Sequence, residues 1–381
     1  MSGPGVETRA AVLFEARTPL RVETVLVEPP RAGEVCVRVA ATGVCHSDLH
    51  LADGHIGEDR VPIVLGHEGA GIVEAIGDGV DHVAPGDRVA LCFVPSCGVC
   101  DRCREGKGNL CKTADESSFK DSLLDGTTRI QLEDGAPLKQ FLAVGCFAER
   151  CVVAAASVVP IPEEISLRDA ALVGCAVVTG FGAVRNAAKV QEGESACVVG
   201  CGGVGLQVIA ALRMAGADPI VAVDLSAEKL ERAADRGATH TVDAADERPA
   251  RQVRRLTDGG VQHAFEVVGR PETIRLAWDA LRPGGTAVVV GLAARGVEAS
   301  VPAIDFLSEK SLRGTFYGSG YPAREIADLA RLIADGGLDV ASTVSHVTDL
   351  DGIEEALERL RRGEGARTVA VLDPALAGDL P

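Results

Sequence analysis

Aromatic residues are scarce in this chain. Twelve of 381 residues are aromatic (Phe 9, Tyr 2, Trp 1), so its core must be built mostly from Val, Ala, Leu and Ile. Positive charge is also in deficit: Lys and Arg number 38 against 55 Asp and Glu, a formal net charge of −17. Such a surface argues against a nucleic-acid backbone or an anionic membrane as partner. Long apolar runs are missing too. The longest, Ala170 to Val184, is interrupted by Gly174, Gly180 and Gly182 and is shorter than the roughly 20 residues a membrane span needs. The opening Met-Ser-Gly-Pro-Gly-Val-Glu-Thr-Arg has no apolar h-region, so no signal peptide is expected and the protein is expected to be cytoplasmic. There is no internal repeat and no low-complexity segment.

What the chain does have is length, glycine and cysteine. At 381 residues it exceeds one ordinary core, and two domains are the natural expectation. Its 46% hydrophobic and 24% charged content is that of a globular protein. Twelve cysteines without a secretion signal point to metal binding or redox chemistry, not a disulfide framework.

The chain is organised around Cys45 to Glu68. Gly43-Val-Cys-His-Ser-Asp-Leu-His50 is followed by a polar loop and Gly66-His-Glu-Gly69. Thiolate and neutral imidazole both bind Zn²⁺, at about 2.3 and 2.0–2.1 Å. Two ligands do not hold a metal, so a third must come from elsewhere. Further on, Cys97, Cys100, Cys103 and Cys111 fall within 15 residues. A Cys₄ set saturates zinc and is therefore structural, with an iron–sulfur cluster as the rival occupant.

Residues 1–90 read as β-rich: Val35–Ala40 and Ile72–Ile76 are β-branched runs flanked by turn signals at Gly33, Gly77 to Gly79 and Pro85 to Asp87. Residues 112–140 read as a polar, irregular excursion. Ser166-Leu-Arg-Asp169 has the capping-box spacing and opens a small-residue helix from about Leu167 to about Ala188, with breaks expected at Gly180 and Gly182; Cys175 lies inside it. From Ser195 a strand runs into Gly200-Cys-Gly202-Gly203-Val204-Gly205, then a helix, then the strand Ile220–Val223 ending in Asp224, 19 residues after the last glycine. Strand, glycine loop, helix, strand and acid in that order form a dinucleotide fingerprint. The glycines let backbone approach a pyrophosphate, and the acid can bond the adenosine ribose. Ser226 is expected to cap a helix ended by Gly237. Strands at Val261–Val267, Thr286–Val290 and Leu312–Phe316 extend a parallel sheet of about six strands over roughly 190–317. A helix at about Ile353–Arg362 precedes a strand, Arg367–Leu372, expected to rejoin the first domain.

With these motifs in this order, the chain resembles the zinc-dependent medium-chain alcohol dehydrogenases (class I/III-like, with catalytic and structural zinc), over nearly its whole length. The resemblance is densest at Gly43 to His50, Gly66 to Glu68, Cys97 to Cys111, Leu172 to Cys175, Gly200 to Gly205, Phe265 to Arg270 and Gly365 to Thr368. It implies an α/β protein: a GroES-like β-rich catalytic domain (1–178 and 318–381) plus a Rossmann doubly wound parallel sheet (179–317). It implies catalytic zinc on Cys45, His67 and Cys175, structural zinc on Cys97, Cys100, Cys103 and Cys111, and thus two Zn²⁺ per chain together with NAD. Glu68 resembles the carboxylate that approaches the metal, and Ser47 and His50 the proton relay. His46, Thr179, Val204, Lys229, Arg270, Val290, Leu292 and Arg367 join Gly200, Gly202, Gly203, Gly205 and Asp224 as cofactor contacts. Phe93, Phe141, Leu142, Leu292 and Phe316 would line an apolar alcohol pocket. The expected activity is reversible hydride transfer between an alcohol and NAD. Two alternatives stand beside it: a dehydrogenase of glutathione or mycothiol adducts of formaldehyde, and a non-enzymatic scaffold on the same fold. A small-molecule alcohol or aldehyde as partner and a homodimer or homotetramer complete the expectation.

Overall fold

The computed structural model describes residues 5–378. They form two compact units: one runs to Cys175 and resumes at Gly320, and the other is Ala176–Ser319.

The first unit is built on two β-sheets. In one, the order is Ile130–Leu132, Arg21–Val27, Val6–Leu13, Ile63–Val64, Lys139–Gln140. In the other, Val158–Pro160, Arg88–Leu91, Glu68–Ile76, Glu34–Val44, Arg367–Val371 and Val344–Thr348 lie side by side, and Arg150–Ala154 also pairs with Glu34–Val44. Glu34–Val44 is the centre of this sheet, buried at ten of its eleven positions, as expected of a strand covered on both faces. The C-terminal strand does rejoin this unit: Thr368 pairs antiparallel with Val44 and Val369 with Gly43.

The 112–140 excursion is more ordered than its composition suggests. It holds the helix Lys112–Ser118 and contributes both outer strands of the five-stranded sheet, Ile130–Leu132 and Lys139–Gln140. Strands of two or three residues are too short to show alternation, so this order is invisible to periodicity.

The helix expected to break at Gly180 and Gly182 does not break. Leu167–Ala188 is one helical run, with π-turns at Val173–Val177 and Ala183–Ala188. Ser166 Oγ caps it by accepting the Asp169 N–H at 3.1 Å. The glycines serve close packing instead: a Cβ at Gly180 would sit 2.6 Å from Gln207 Cβ, and one at Gly182 would strike the Gly318 carbonyl. The run is long and apolar enough to cross a membrane, but 89% of its most apolar window is buried inside the fold.

The second unit is a six-stranded, wholly parallel sheet. Its order is His240–Asp243, Ile220–Asp224, Ala196–Val199, Val261–Glu266, Leu281–Val289, Ser311–Gly314. Numbered within the unit this is 3-2-1-4-5-6, the doubly wound dinucleotide-binding order. Val199, Val221, Val223, Ala264 and Ala287 pack with the fully buried Trp278, whose Nε1 donates to Asp305 at 2.9 Å. Ser226 Oγ accepts the Lys229 N–H, and Gly237 ends that helix at φ 118°.

Candidate metal centres and cofactor loop

Strand register brings the first ligands together. Gly43 pairs with Glu68 across the antiparallel strands, so Cys45 and His67 meet just past the end of that ladder. Cys175 arrives from the π-turn Val173–Val177. A Cβ at Gly174 would strike the Leu91 carbonyl, so glycine lets this helix sit tight against the sheet. One ligand atom from each of Cys45, His67, Glu68 and Cys175 lies within 4.8 Å of all the others, and all four residues are buried.

His67 is held from three sides. Its Nδ1 lies 3.2 Å from Asp48 Oδ1. A carboxylate only accepts, so Nδ1 carries a proton, and Nε2 is the nitrogen that can offer a lone pair to a metal. The rings of Phe93 and Phe141 each meet it edge-on, with centroids 5.4 Å away. Nε2 of His67 and Oε1 of Glu68 are buried without a hydrogen-bond partner and lie 3.9 Å apart. Two orphaned acceptors facing each other beside two thiols fit a cation, and the soft S/N set fits zinc. The buried anions around His67 favour a positive charge here, which a bound cation would supply in place of a second proton on Nε2. Burial opposes charge on His67, yet the Asp48 carboxylate and the Cys45 sulfur hold its pKa up, to about 10. The hydrogen bond with Cys175, with help from His67, holds the Cys45 thiol well below its ordinary value.

Asp48 is the residue that the sequence analysis left without a role. It is fully buried. Besides His67, it accepts the N–H of Gly66 at 3.0 Å and of Cys45 at 3.1 Å, tying together the segments that carry two ligands. An acid three residues after Cys45, bonding back to the start of its helix, is the capping-box spacing, a signal present in the sequence.

Glu68 and Arg367 form a buried ion pair through Oε2 and NH2. A Cβ at Gly43 would collide with that Glu68 oxygen. Arg367, expected as a cofactor contact, is engaged by Glu68 and 4% exposed. On the helix His46–Ala52, Ser47 Oγ lies 3.9 Å from Cys45 Sγ, His50 is half-buried, and His46 is exposed.

Phe141 and Leu142 are fixed by the 112–140 excursion. Leu142 has φ 51° and ψ 36°, an uncommon left-handed conformation for leucine. Its N–H donates to Asp121 Oδ1 at 3.0 Å. Asp121 is fully buried and paired bidentately with Arg60 at 2.6 and 2.7 Å. Phe316 falls in the second unit, next to Tyr317.

The second cluster gathers Cys97, Cys100, Cys103 and Cys111 with ligand atoms likewise within 4.8 Å. The Cys100 and Cys111 sulfurs are 4.0 Å apart, near the roughly 3.8 Å edge that a tetrahedron of 2.3 Å Zn–S bonds requires. Backbone amides point at the sulfurs: Cys97 N–H donates to Cys111 Sγ, and Cys100 N–H to Cys97 Sγ. The Val99 and Cys100 amides lower the Cys97 thiol to about 6, against the cost of burial, while burial pushes Cys103 up to about 12.

In the second unit, Gly200 takes φ 97°, and a Cβ at Gly205 would strike the Gly200 carbonyl. A Cβ at Gly202 would meet nothing within 4 Å, so the face of the loop over the start of the helix Gly203–Met214 is open to a ligand. Asp224 accepts the Cys201 N–H at 2.7 Å and the Ser226 N–H at 3.0 Å, bracing the loop and the turn after its own strand. Buried Glu266 accepts the N–H groups of Val268 and Gly269 and the Thr273 hydroxyl, shaping the turn that carries exposed Arg270. Thr179, Val204, Lys229 and Val290 are half-buried and Leu292 is 45% exposed.

Comparison with known proteins agrees with this architecture. Residues 31–163 match the alcohol dehydrogenase GroES-like domain, and residues 203–335 the zinc-binding dehydrogenase domain. An S-(hydroxymethyl)glutathione dehydrogenase of Photobacterium damsela subsp. piscicida is 38% identical over 367 residues, 96% of this chain and 99% of that protein. Among solved structures, an alcohol dehydrogenase zinc-binding domain protein from Burkholderia ambifaria superposes with a TM-score of 0.91 at 34% identity, and benzyl alcohol dehydrogenase from Acinetobacter calcoaceticus with 0.90 at 31%; both alignments cover 96% of this chain and 99% of the other. The chain belongs to the zinc-dependent medium-chain alcohol dehydrogenases. It is an oxidoreductase with zinc and NAD as cofactors.

Proposed function

We propose that the chain oxidises a small apolar alcohol reversibly to its carbonyl compound at a zinc held by Cys45, His67 and Cys175, with NAD as the hydride acceptor bound at Gly200 to Gly205. The observation that carries this reading is the pair of orphaned acceptors, His67 Nε2 and Glu68 Oε1, beside two thiols. Zinc there supplies a Lewis acid that lowers the pKa of a bound hydroxyl, and NAD takes the hydride. The chain does the rest. Asp48 keeps the proton on Nδ1 of His67 so that Nε2 faces the metal. Phe93 and Phe141 wall the imidazole from water. Ser47 Oγ, close to Cys45, is placed to take a hydrogen bond from the substrate hydroxyl, and His50, one turn on, is the nearby base. Asp224 selects NAD, since a carboxylate repels a 2′-phosphate. Zinc on the four lobe cysteines is structural. The test is NADH formation from a panel of primary, secondary and benzylic alcohols, repeated after chelation; no oxidation of any of them would overturn the reading.

A second reading is favoured by the 38% identical relative named for S-(hydroxymethyl)glutathione: the substrate is the adduct of formaldehyde with a low-molecular-weight thiol. Formaldehyde with glutathione or mycothiol, assayed against the simple alcohols, separates the two.

We further propose a self-associating, cytoplasmic protein. The edge strand Ser311–Gly314 is exposed at all four positions, and Ile304, Phe306 and Leu307, just before it in the chain, are 69, 51 and 81% exposed. An open apolar edge of this kind suits pairing with a second copy. Light scattering on wild type and on Leu307→Asp tests it. None of the twelve cysteines is joined in a disulfide, which suits a reducing compartment.

A further inference from the structure

The helix His46–Ala52 ends in a Schellman turn. Asp53 caps it and Gly54 takes φ 73°. The Gly54 N–H donates to the Leu51 carbonyl at 2.9 Å, and the His55 N–H to the His50 carbonyl at 2.8 Å. This motif brings together the third residue from the helix end and the second residue beyond the cap, commonly as an apolar pair. Here both are histidines. Their Nδ1 atoms are 3.2 Å apart and their ring centroids 5.4 Å. Two imidazole nitrogens bond at that distance only when one carries the proton and the other offers its lone pair.

The two rings differ in surroundings. His50 is half-buried, whereas His55 is exposed and lines an open cleft of about 490 Å³. The other charged groups of the cleft are engaged with partners. Asp53 pairs with Arg361 at 2.6 Å, Arg361 also with Glu358, and Arg17 with Glu58 at 2.5 Å; Glu354 accepts the Leu20 N–H. Among the cleft's residues His55 is the one whose two ring nitrogens can take a proton on one side and give one up on the other.

We propose that His55 is the outward half of a two-imidazole relay: it takes from His50 Nδ1 the proton released by alcohol oxidation and delivers it to water in the cleft. This rests on the dehydrogenase reading above. One proton enters at Nε2 of His50, one crosses from Nδ1 to Nδ1, and one leaves Nε2 of His55. The pair returns to neutrality in the opposite tautomer, which solvent exchange restores when the exposed ring of His55 rotates away. Burial lowers the pKa of His50, and His46 and His55 lower it further against the opposing pull of Cys45 and Asp53. His50 thus passes a proton on instead of storing it. His55 acts through His50 and is a positioning and transfer residue.

The test uses the zinc- and NAD-loaded protein as wild type, His55→Phe, His55→Gln and His50→Gln. Phenylalanine keeps the ring contact and removes the proton path. In weak buffer, both His55 variants are expected to lose about three- to tenfold in alcohol oxidation, less than the roughly 10²-fold that loss of a general base costs. Indicator-detected proton release should lag NADH formation in them, and added imidazole should abolish the lag. Independently of turnover, the ¹⁵N signal of His50 Nδ1 in the resting protein should move from a hydrogen-bonded to a solvent-bonded position in His55→Phe. An active wild type with His55 variants of equal rate, no lag and an unmoved His50 signal overturns the relay alone. A wild type that forms no NADH from any alcohol overturns the dehydrogenase reading and the relay with it.

Discussion

Asp48 Oδ1 lies 3.2 Å from Nδ1 of His67, and the same carboxylate holds the backbone of Cys45 and Gly66. One buried acid therefore orients the ring of one proposed zinc ligand and holds the position of two. Asp48→Asn is expected to weaken zinc binding about 10- to 100-fold, the usual cost of losing such a partner. Chelator competition on wild type and variant checks this, and equal zinc affinity would show that the imidazole is oriented by its phenylalanine neighbours alone.

The Glu68–Arg367 pair joins residues 299 apart in the chain. Its members are 0 and 5% exposed at the side chain. Removing one partner leaves a buried charge, at a cost of about 3–5 kcal/mol. Arg367→Met should therefore destabilise the zinc-loaded protein more than the double variant Arg367→Met, Glu68→Gln does. Urea unfolding of the set decides it; a double variant as unstable as the sum of the singles would mean that the two residues do not act as a pair.

The two cysteine sets should separate on mutation. Cys175→Ser is expected to abolish turnover with the fold retained, whereas Cys100→Ser should first lower the unfolding midpoint, since a structural zinc site contributes folding energy. Elemental analysis should find two zinc ions in wild type and about one in each variant. Fully active protein with one zinc or none would contradict the assignment.

Cofactor choice is expected to turn on Asp224 and on Leu225, which is 71% exposed. Asp224→Gly with Leu225→Arg should raise the ratio of kcat/KM for NADP over NAD by about tenfold or more, equivalent to roughly 1.4 kcal/mol. Absolute rates should fall as well, because Asp224 also braces the Cys201 amide. Steady-state kinetics with both cofactors is the check, and a wild type that prefers NADP would refute the role given to Asp224.

Features written within short stretches of chain were legible in the sequence. The four lobe cysteines lie within 15 residues, and the fingerprint needs one strand, one loop and one helix. The six-strand parallel sheet followed from βα alternation, because each unit repeats its own local pattern. The capping of Leu167–Ala188 by Ser166 was equally local.

Tertiary structure decided what depends on partners far apart in sequence. Gly180 and Gly182 read as helix breakers but mark close packing against Gln207 and Gly318, since an unfilled Cβ position looks the same in sequence whatever approaches it. The strands Ile130–Leu132 and Lys139–Gln140 carry too few residues for a period and exist because sheet neighbours pair with them. The candidate metal centre required the register that sets Gly43 opposite Glu68, together with a π-turn that delivers Cys175. Ligand identity is a property of side chains and can be read one residue at a time. Ligand convergence, the seating of Asp48 and the Glu68–Arg367 pair are properties of strand pairing and burial, and those arise only once the chain has folded.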